Sequence, residues 1–139
     1  MKRISAIVLA VLAAFTAGGS LQAQDYNSMR ANIPFNFIVG GKQLPAGRYS
    51  IYSQHDHVVV IQNVTQPVGV LTITSNVDVP KPGQHSLLFH KYGDRYFLSE
   101  IRSASSFVSG ELPYSKMEKQ AQHLEASLQP ETVQVALGN

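Results

Sequence analysis

The densest group of side chains able to do chemistry in this 139-residue sequence is His90, Tyr92, Asp94, Arg95 and Tyr96, gathered around one Gly93-Asp94 turn. Arg95 carries a planar guanidinium that suits a carboxylate or phosphate, and the aromatic rings offer faces on which a ring-shaped ligand stacks. These five form the candidate ligand-binding set. The same residues also make sense as cross-strand packing, with Arg95 lying over Tyr92 and Asp94 shaping the turn, and the packing reading is favoured. His55 and His57 are a weaker candidate. Spaced two apart on a strand they face the same way and share a metal only with a third ligand, from His85, His90 or Asp94. No spacing matches that ligand to them. They read as solvated imidazoles at a hairpin tip, where Asp56 favours the turn, and no metal or other cofactor is expected.

Catalysis finds little support. Acyl transfer needs a nucleophile, a base and a group to orient the base, and glycoside hydrolysis needs two carboxylates at a set spacing. The serines occur in no Gly-x-Ser-x-Gly context, the acidic residues are scattered singly, and glycine-rich phosphate loops are absent. The chain is expected not to be an enzyme; His90, Asp94 and Arg95 mark the one place where ionisable groups would converge.

The elements that must position these residues begin after a leader. Lys2-Arg3 is a basic start, Ile4 to Phe15 is apolar apart from Ser5, and Gly18-Gly19-Ser20 precedes Leu21-Gln22-Ala23, whose small final residue suits signal peptidase. An apolar run of about twelve residues is too short to span roughly 30 Å of hydrocarbon. Residues 1–23 are therefore expected to be a secretory signal peptide, and the mature chain to be periplasmic or secreted without a membrane anchor. Of eleven basic residues, Lys2 and Arg3 leave with the leader, so nine remain against nine acidic residues. A formally neutral chain with no adjacent basic residues lacks the patch needed to displace counterions, so nucleic acid is not an expected partner. The absence of cysteine rules out disulfides, thiolate metal sites and thiol nucleophiles, and in an exported chain of this size suggests a bacterial source.

The remainder is about the size of one domain with one core. Residues 24–30 read as a flexible lead-in, and residues 31–139 as a single β-rich domain. Ile33, Phe35, Phe37 and Val39 alternate with polar positions as one strand, with Pro34 suggesting an edge. Gly40 to Gly47 reads as a turn region. Arg48 to Gln54 and His57 to Gln62 form a hairpin with its tip at His55-Asp56, which places Ile51 opposite Val60 and Ser53 opposite Val58. The second of these strands is β-branched on both faces and reads as central. Val68 to Thr74 is a further strand. Leu87 to Tyr92 and Arg95 to Ile101 flank Gly93-Asp94, a type II′ signal that sets Phe89 opposite Leu98, His90 opposite Phe97 and Tyr92 opposite Arg95. Ser115 to Glu118 reads as a capping box opening a helix near 115–129, with Met117, Ala121, Leu124 and Leu128 on one stripe. Thr132 to Leu137 suits a last strand. The expected fold is mainly β: a small antiparallel sandwich or partly open barrel with one C-terminal helix.

The run Ile33-Pro34-Phe35-Asn36-Phe37-Ile38-Val39-Gly40-Gly41-Lys42-Gln43-Leu44-Pro45-Ala46-Gly47-Arg48-Tyr49, with Phe89-His90-Lys91-Tyr92-Gly93-Asp94-Arg95-Tyr96-Phe97-Leu98 and the leader, resembles a family of short exported bacterial proteins. The resemblance implies export but no activity. The expected function is that of a non-catalytic exported module contacting an envelope or extracellular protein or glycan. The alternative is a periplasmic carrier enclosing an apolar or glycan ligand among Phe35, Phe37, Tyr49 and Phe97.

Overall fold

The computed structural model describes residues 28–75, 85–104, 108–125 and 129–138. The expected leader, residues 24–27 of the lead-in, nearly all of the Ser75 to Gln84 stretch and Leu128 lie outside the described residues. In chain order the elements are β1 (Met29–Ile33), β2 (Phe37–Val39), β3 (Lys42–Leu44), β4 (Gly47–His55), β5 (Val58–Asn63) and β6 (Gly69–Ile73). They continue with β7 (Ser86–Tyr92), β8 (Arg95–Arg102), β9 (Gly110–Glu111), α1 (Lys116–Leu124) and β10 (Glu131–Gly138).

The strands form one sheet in the order β3-β2-β8-β7-β10-β1-β4-β5-β6, with β9 paired to β8. All pairings are antiparallel except β2 with β8. The sheet curls into a nearly closed barrel. At one end of its seam Lys42 Nζ donates to the Gly69 carbonyl at 2.8 Å. At the other, Ser75 and Glu111 exchange backbone hydrogen bonds of 2.9 and 3.2 Å. Gly110 permits that closure, because a Cβ there would strike the Ser75 carbonyl oxygen and lie 2.7 Å from Thr74 Cβ.

Alternation sends Ile33, Phe37, Tyr49, Ile51, Ile61, Leu87 and Phe89 into the barrel, where they form the main core. A second cluster of Ile38, Tyr92, Phe97 and Ala121 lies beneath α1, on the opposite face of β7 and β8. No helix among the described residues is long and apolar enough to cross a membrane.

Several expected boundaries move. The strand expected through Ile33 to Val39 is two strands, broken at Pro34 to Asn36. Proline has no N–H for a ladder, and the Asn36 side chain caps the following turn by accepting from Ala46 N. Met29 and Arg30 belong to β1 rather than to a loose lead-in, and Met29 is buried. The Gly40 to Gly47 turn region contains β3, which Gly40 and Gly41 (φ 56° and 82°) allow to fold back on β2.

The β4–β5 register also differs by one. Ile51 faces Ile61 and Tyr52 faces Val60, because the tip is Asp56-His57 and an irregularity between Ser53 and His55 absorbs a residue. His57 takes the left-handed conformation (φ 60°) that usually goes to Gly or Asn, so the sequence does not advertise the tip. The observed register keeps Ile51 and Ile61 together inside, whereas a one-residue slip would set an inward side chain against an outward one. The β7–β8 hairpin has its expected register near the turn, and Gly93 has φ 58°.

Candidate functional site

Helix α1 is held against the sheet by a polar clasp. Ser115 Oγ caps the helix by accepting from Glu118 N at 3.2 Å. The returning half of a capping box is not made, because the Glu118 carboxylate turns into the sheet. There its Oε1 accepts from His90 Nδ1 at 2.8 Å and from the Tyr92 hydroxyl at 3.3 Å. Gln122 Nε2 in turn donates to the Tyr92 oxygen at 3.0 Å. The Glu118 side chain is only 5% exposed, so these contacts supply the partners that a buried carboxylate requires. For Glu118 Oε1 to be the acceptor in this contact, His90 must carry a proton on Nδ1. Burial pushes the Tyr92 phenol above its ordinary value; the Gln122 hydrogen bond works against this and the Glu118 charge reinforces it.

The helix face is rotated from the expected stripe. Ala121 is fully buried and Met117 half-buried, but Leu124 is 78% exposed. Glu118 and Gln122 take the place of the missing apolar contacts. The helix also stops at Leu124, with Glu125 as its C-cap, short of the expected end near 129.

Beside the clasp is a cleft of about 140 Å³ bordered by His90, Ser99, Glu100, Glu111, Tyr114 and Glu118. Tyr114 stacks on His90 with ring centroids 5.8 Å apart. The Ser99 hydroxyl donates to the Leu88 carbonyl at 2.9 Å, and Glu100 is paired with Arg102 at 2.8 Å. The hydroxyl in this cleft is thus committed to the backbone and is not aimed at His90 as a nucleophile would be.

The turn cluster divides between two faces. His90 and Tyr92 point toward α1, and Arg95 lies opposite Tyr92 in register, half-buried. Tyr96 belongs to the other face, stacked on Phe35 at 3.9 Å with Lys91 Nζ 5.6 Å from its centroid. The cation over an aromatic ring among the described residues is therefore Lys91 over Tyr96, not Arg95 over Tyr92. Asp94 is exposed in the turn. Alternation separates neighbours in sequence, so these five residues do not converge on one point. The signal that pairs His90 and Tyr92 with Glu118 was present only as the fourth position of the capping pattern.

His55 is exposed and His57 half-buried at the β4–β5 tip. Of the three candidate third ligands, His85 Nδ1 accepts from Ala104 N at 3.3 Å, His90 binds Glu118, and Asp94 lies exposed in the β7–β8 turn. No group of three metal-binding side chains assembles among the described residues.

The aromatic set expected to enclose a ligand is also divided. Phe37 packs edge-on against Tyr49 and Phe89 with centroids 5.1 and 5.6 Å apart, and Phe35 against Phe89 at 5.1 Å. Phe97 lies on the helix side with Tyr92.

The outer face of β4, β5 and β6 carries an uncovered apolar surface. Register aligns Tyr52, Val60 and Leu71 in one row and Val58 with Ile73 in the next. Leu71 and Ile73 are 56% and 62% exposed. The shallow groove over this face is lined by Tyr52, Gln54, Val60, Gln62, Pro67 and Leu71 among others, none of them charged. Backbone bonds from Asn63 to Val68 and from Thr74 to His57 set the parity of the β5–β6 ladder. Leu71 and Ile73 consequently turn their own N–H and C=O groups away from β5, toward the seam.

Compared with protein-family models, curated proteins and solved structures, the chain matches none.

Proposed function

We propose that this is an exported, non-catalytic β-barrel module that works by binding an envelope or extracellular protein on the outer face of β4, β5 and β6. The observation that carries the reading is the outward apolar row Tyr52, Val60, Leu71 with Ile73, in which Tyr52 and Val60 are half-buried and Leu71 and Ile73 are left open to solvent. Contiguous exposed apolar surface is costly in an isolated soluble domain and is a common mark of an interaction site. A polypeptide partner fits better than a glycan. β6 is the last strand on its side of the sheet, and between the Lys42 and Ser75 bridges the seam-facing backbone groups of Leu71 and Ile73 are those that an extended segment uses in strand addition. Export rests on the leader, and the resemblance to short exported bacterial proteins agrees with it. The carrier alternative has less support, since Phe35, Phe37 and Tyr49 spend their ring faces and edges on core packing and Phe97 lies elsewhere.

The test is a photo-crosslinking residue at Leu71, compared with one at exposed Lys119 on α1, in the intact protein produced in its own cells. A discrete adduct of one defined mass at Leu71 and not at Lys119 is expected. No adduct at Leu71, or the same products from both positions, overturns the proposal.

A further inference from the structure

Two arginines on the outer face of the barrel form no ion pair among the described residues. Arg30 on β1 and Arg48 on β4 both project outward, alternating with buried Met29, Ala31 and Tyr49. Register pairs Arg30 with Ser50 and Asn32 with Arg48, so these four side chains form a square with the guanidiniums on one diagonal. The ion pairs among the described residues are His90–Glu118, Lys91–Glu131 and Arg102–Glu100, and none involves either arginine. The only acidic residue on the described β1 to β6 segment is Asp56, at the far tip of the β4–β5 hairpin. On the neighbouring strand β10, the position facing Arg30 is Gly138. Like charges on adjacent strands oppose pairing, and no acidic side chain among the described residues is paired with either arginine.

The space between them is concave. A cavity of about 160 Å³ is lined by Arg30, Ala31, Asn32, Arg48, Tyr49 and Val64. Each guanidinium presents a planar fork of donors matched to oxyanion geometry, and hydrogen bonds to an ionised acceptor are among the stronger ones. The Asn32 amide lines the same cavity and adds a neutral donor. Two guanidiniums bordering one cavity suit an oxyanion that can carry more than one negative charge, as a phosphate does. Val64, 54% exposed at the rim, gives the site one apolar wall.

We propose that Arg30, Asn32 and Arg48 form a binding site for a phosphate-class oxyanion, with Val64 contacting the organic part of a phosphate ester. This site lies beyond the β4–β6 partner face and does not depend on it. The anion has two conceivable sources, a soluble phosphate or a lipid phosphate, and the chemistry of the site is common to both.

The experiment is an NMR titration of the ¹⁵N-labelled mature protein with inorganic phosphate at constant ionic strength, chloride making up the balance. A parallel arm measures sedimentation with phosphatidylcholine vesicles with and without phosphatidic acid. Saturable shifts at the amides of Arg30, Asn32, Arg48 and Val64 are expected, with binding about tenfold weaker in Arg30→Gln or Arg48→Gln and unchanged in Lys42→Gln. Both variants should fold, since each removes a repulsion, and an unchanged circular dichroism spectrum checks this. Saturable binding in solution supports a soluble ligand, and co-sedimentation only with phosphatidic acid supports a lipid source. Binding in neither arm, linear shifts spread over the surface, or saturable binding retained in the Arg30→Gln/Arg48→Gln double variant overturns the site. Loss of the site would leave the Leu71 crosslink intact, so the two proposals fail separately.

Discussion

Replacing Gly110 by alanine should open the barrel seam, although the backbone there is one that alanine readily adopts. Gly110 is not among the glycines with positive φ, so the cost is steric rather than conformational. The new Cβ would meet the Ser75 carbonyl oxygen and lie 2.7 Å from Thr74 Cβ and 3.1 Å from Thr74 Oγ1, and the nearest of these atoms is backbone that cannot rotate aside. Relief requires β9 to retreat from Ser75, which stretches the Ser75–Glu111 hydrogen bonds of 2.9 and 3.2 Å. Losing both costs about 1–3 kcal/mol, and residual overpacking about 1–3 kcal/mol. The reduced entropy of the unfolded alanine chain offsets about 0.4–1 kcal/mol. Because retreat exchanges strain for lost bonds, the two costs overlap, and a net destabilisation of about 2–4 kcal/mol is expected. With no tryptophan in the chain, urea unfolding is best followed by far-ultraviolet circular dichroism. Gly138→Ala is the internal control, since its Cβ meets only the Arg30 carbonyl oxygen, at 3.9 Å. A Gly110→Ala variant within about 0.5 kcal/mol of the parent, or no worse than Gly138→Ala, would refute the tight-seam argument.

Other outcomes follow from the clasp, the buried phenols and the turn. Glu118→Ala strands His90 Nδ1 and the Tyr92 hydroxyl and should cost about 2–4 kcal/mol in the same urea assay, whereas Glu118→Gln keeps an acceptor and should recover most of it. Burial holds the phenols of Tyr49 and Tyr92 above the ordinary 10.0, with the neighbouring Asn63 amide opposing the shift at Tyr49. Their folded values exceed their unfolded ones, so the stability they contribute is complete below pH 10 and is lost as pH rises through the folded values. A spectrophotometric titration should show Tyr49 and Tyr92 ionising late, and urea midpoints should fall over the same alkaline range. Gly93→Ala places a side chain at φ 58° with its Cβ 2.8 Å from Glu125 Oε1, and should destabilise by about 1 kcal/mol or more, since the glutamate can move but the backbone cannot.

Most of the strands were legible because one buried face leaves a period of two, and the Gly93-Asp94 hairpin because its turn residues fix both tip and register. The Asp56-His57 tip was hidden by a histidine doing a glycine's work. β3 was hidden by its brevity, with Leu44 its single buried residue. Val58 to Ile61 read as central because apolar residues occupy both faces. It is indeed flanked by strands on both sides, but one of its faces is only half-covered, and apolar residues on both sides of a strand do not tell a buried face from a partly exposed one. Glu118 was read as a capping residue because local spacing explains it completely. Its buried role depends on where α1 lands, which is decided by tertiary contacts with β7.

The position of β10 bears on the order in which the protein can assemble. Strands β1, β4, β5 and β6 form one block and β2, β3, β7 and β8 another, and β10 lies between β7 and β1. Register joins it to β7 from Glu131 to Ala136 and to β1 at Leu137 and Gly138. During synthesis from the amino end, both blocks exist before the strand that unites them, with only the short β9 crossing on the opposite side. The barrel is thus completed by its last strand, inserted mid-sheet rather than added at an edge. Until then β7 and β1 each lack one neighbour, so the two blocks have open flanks.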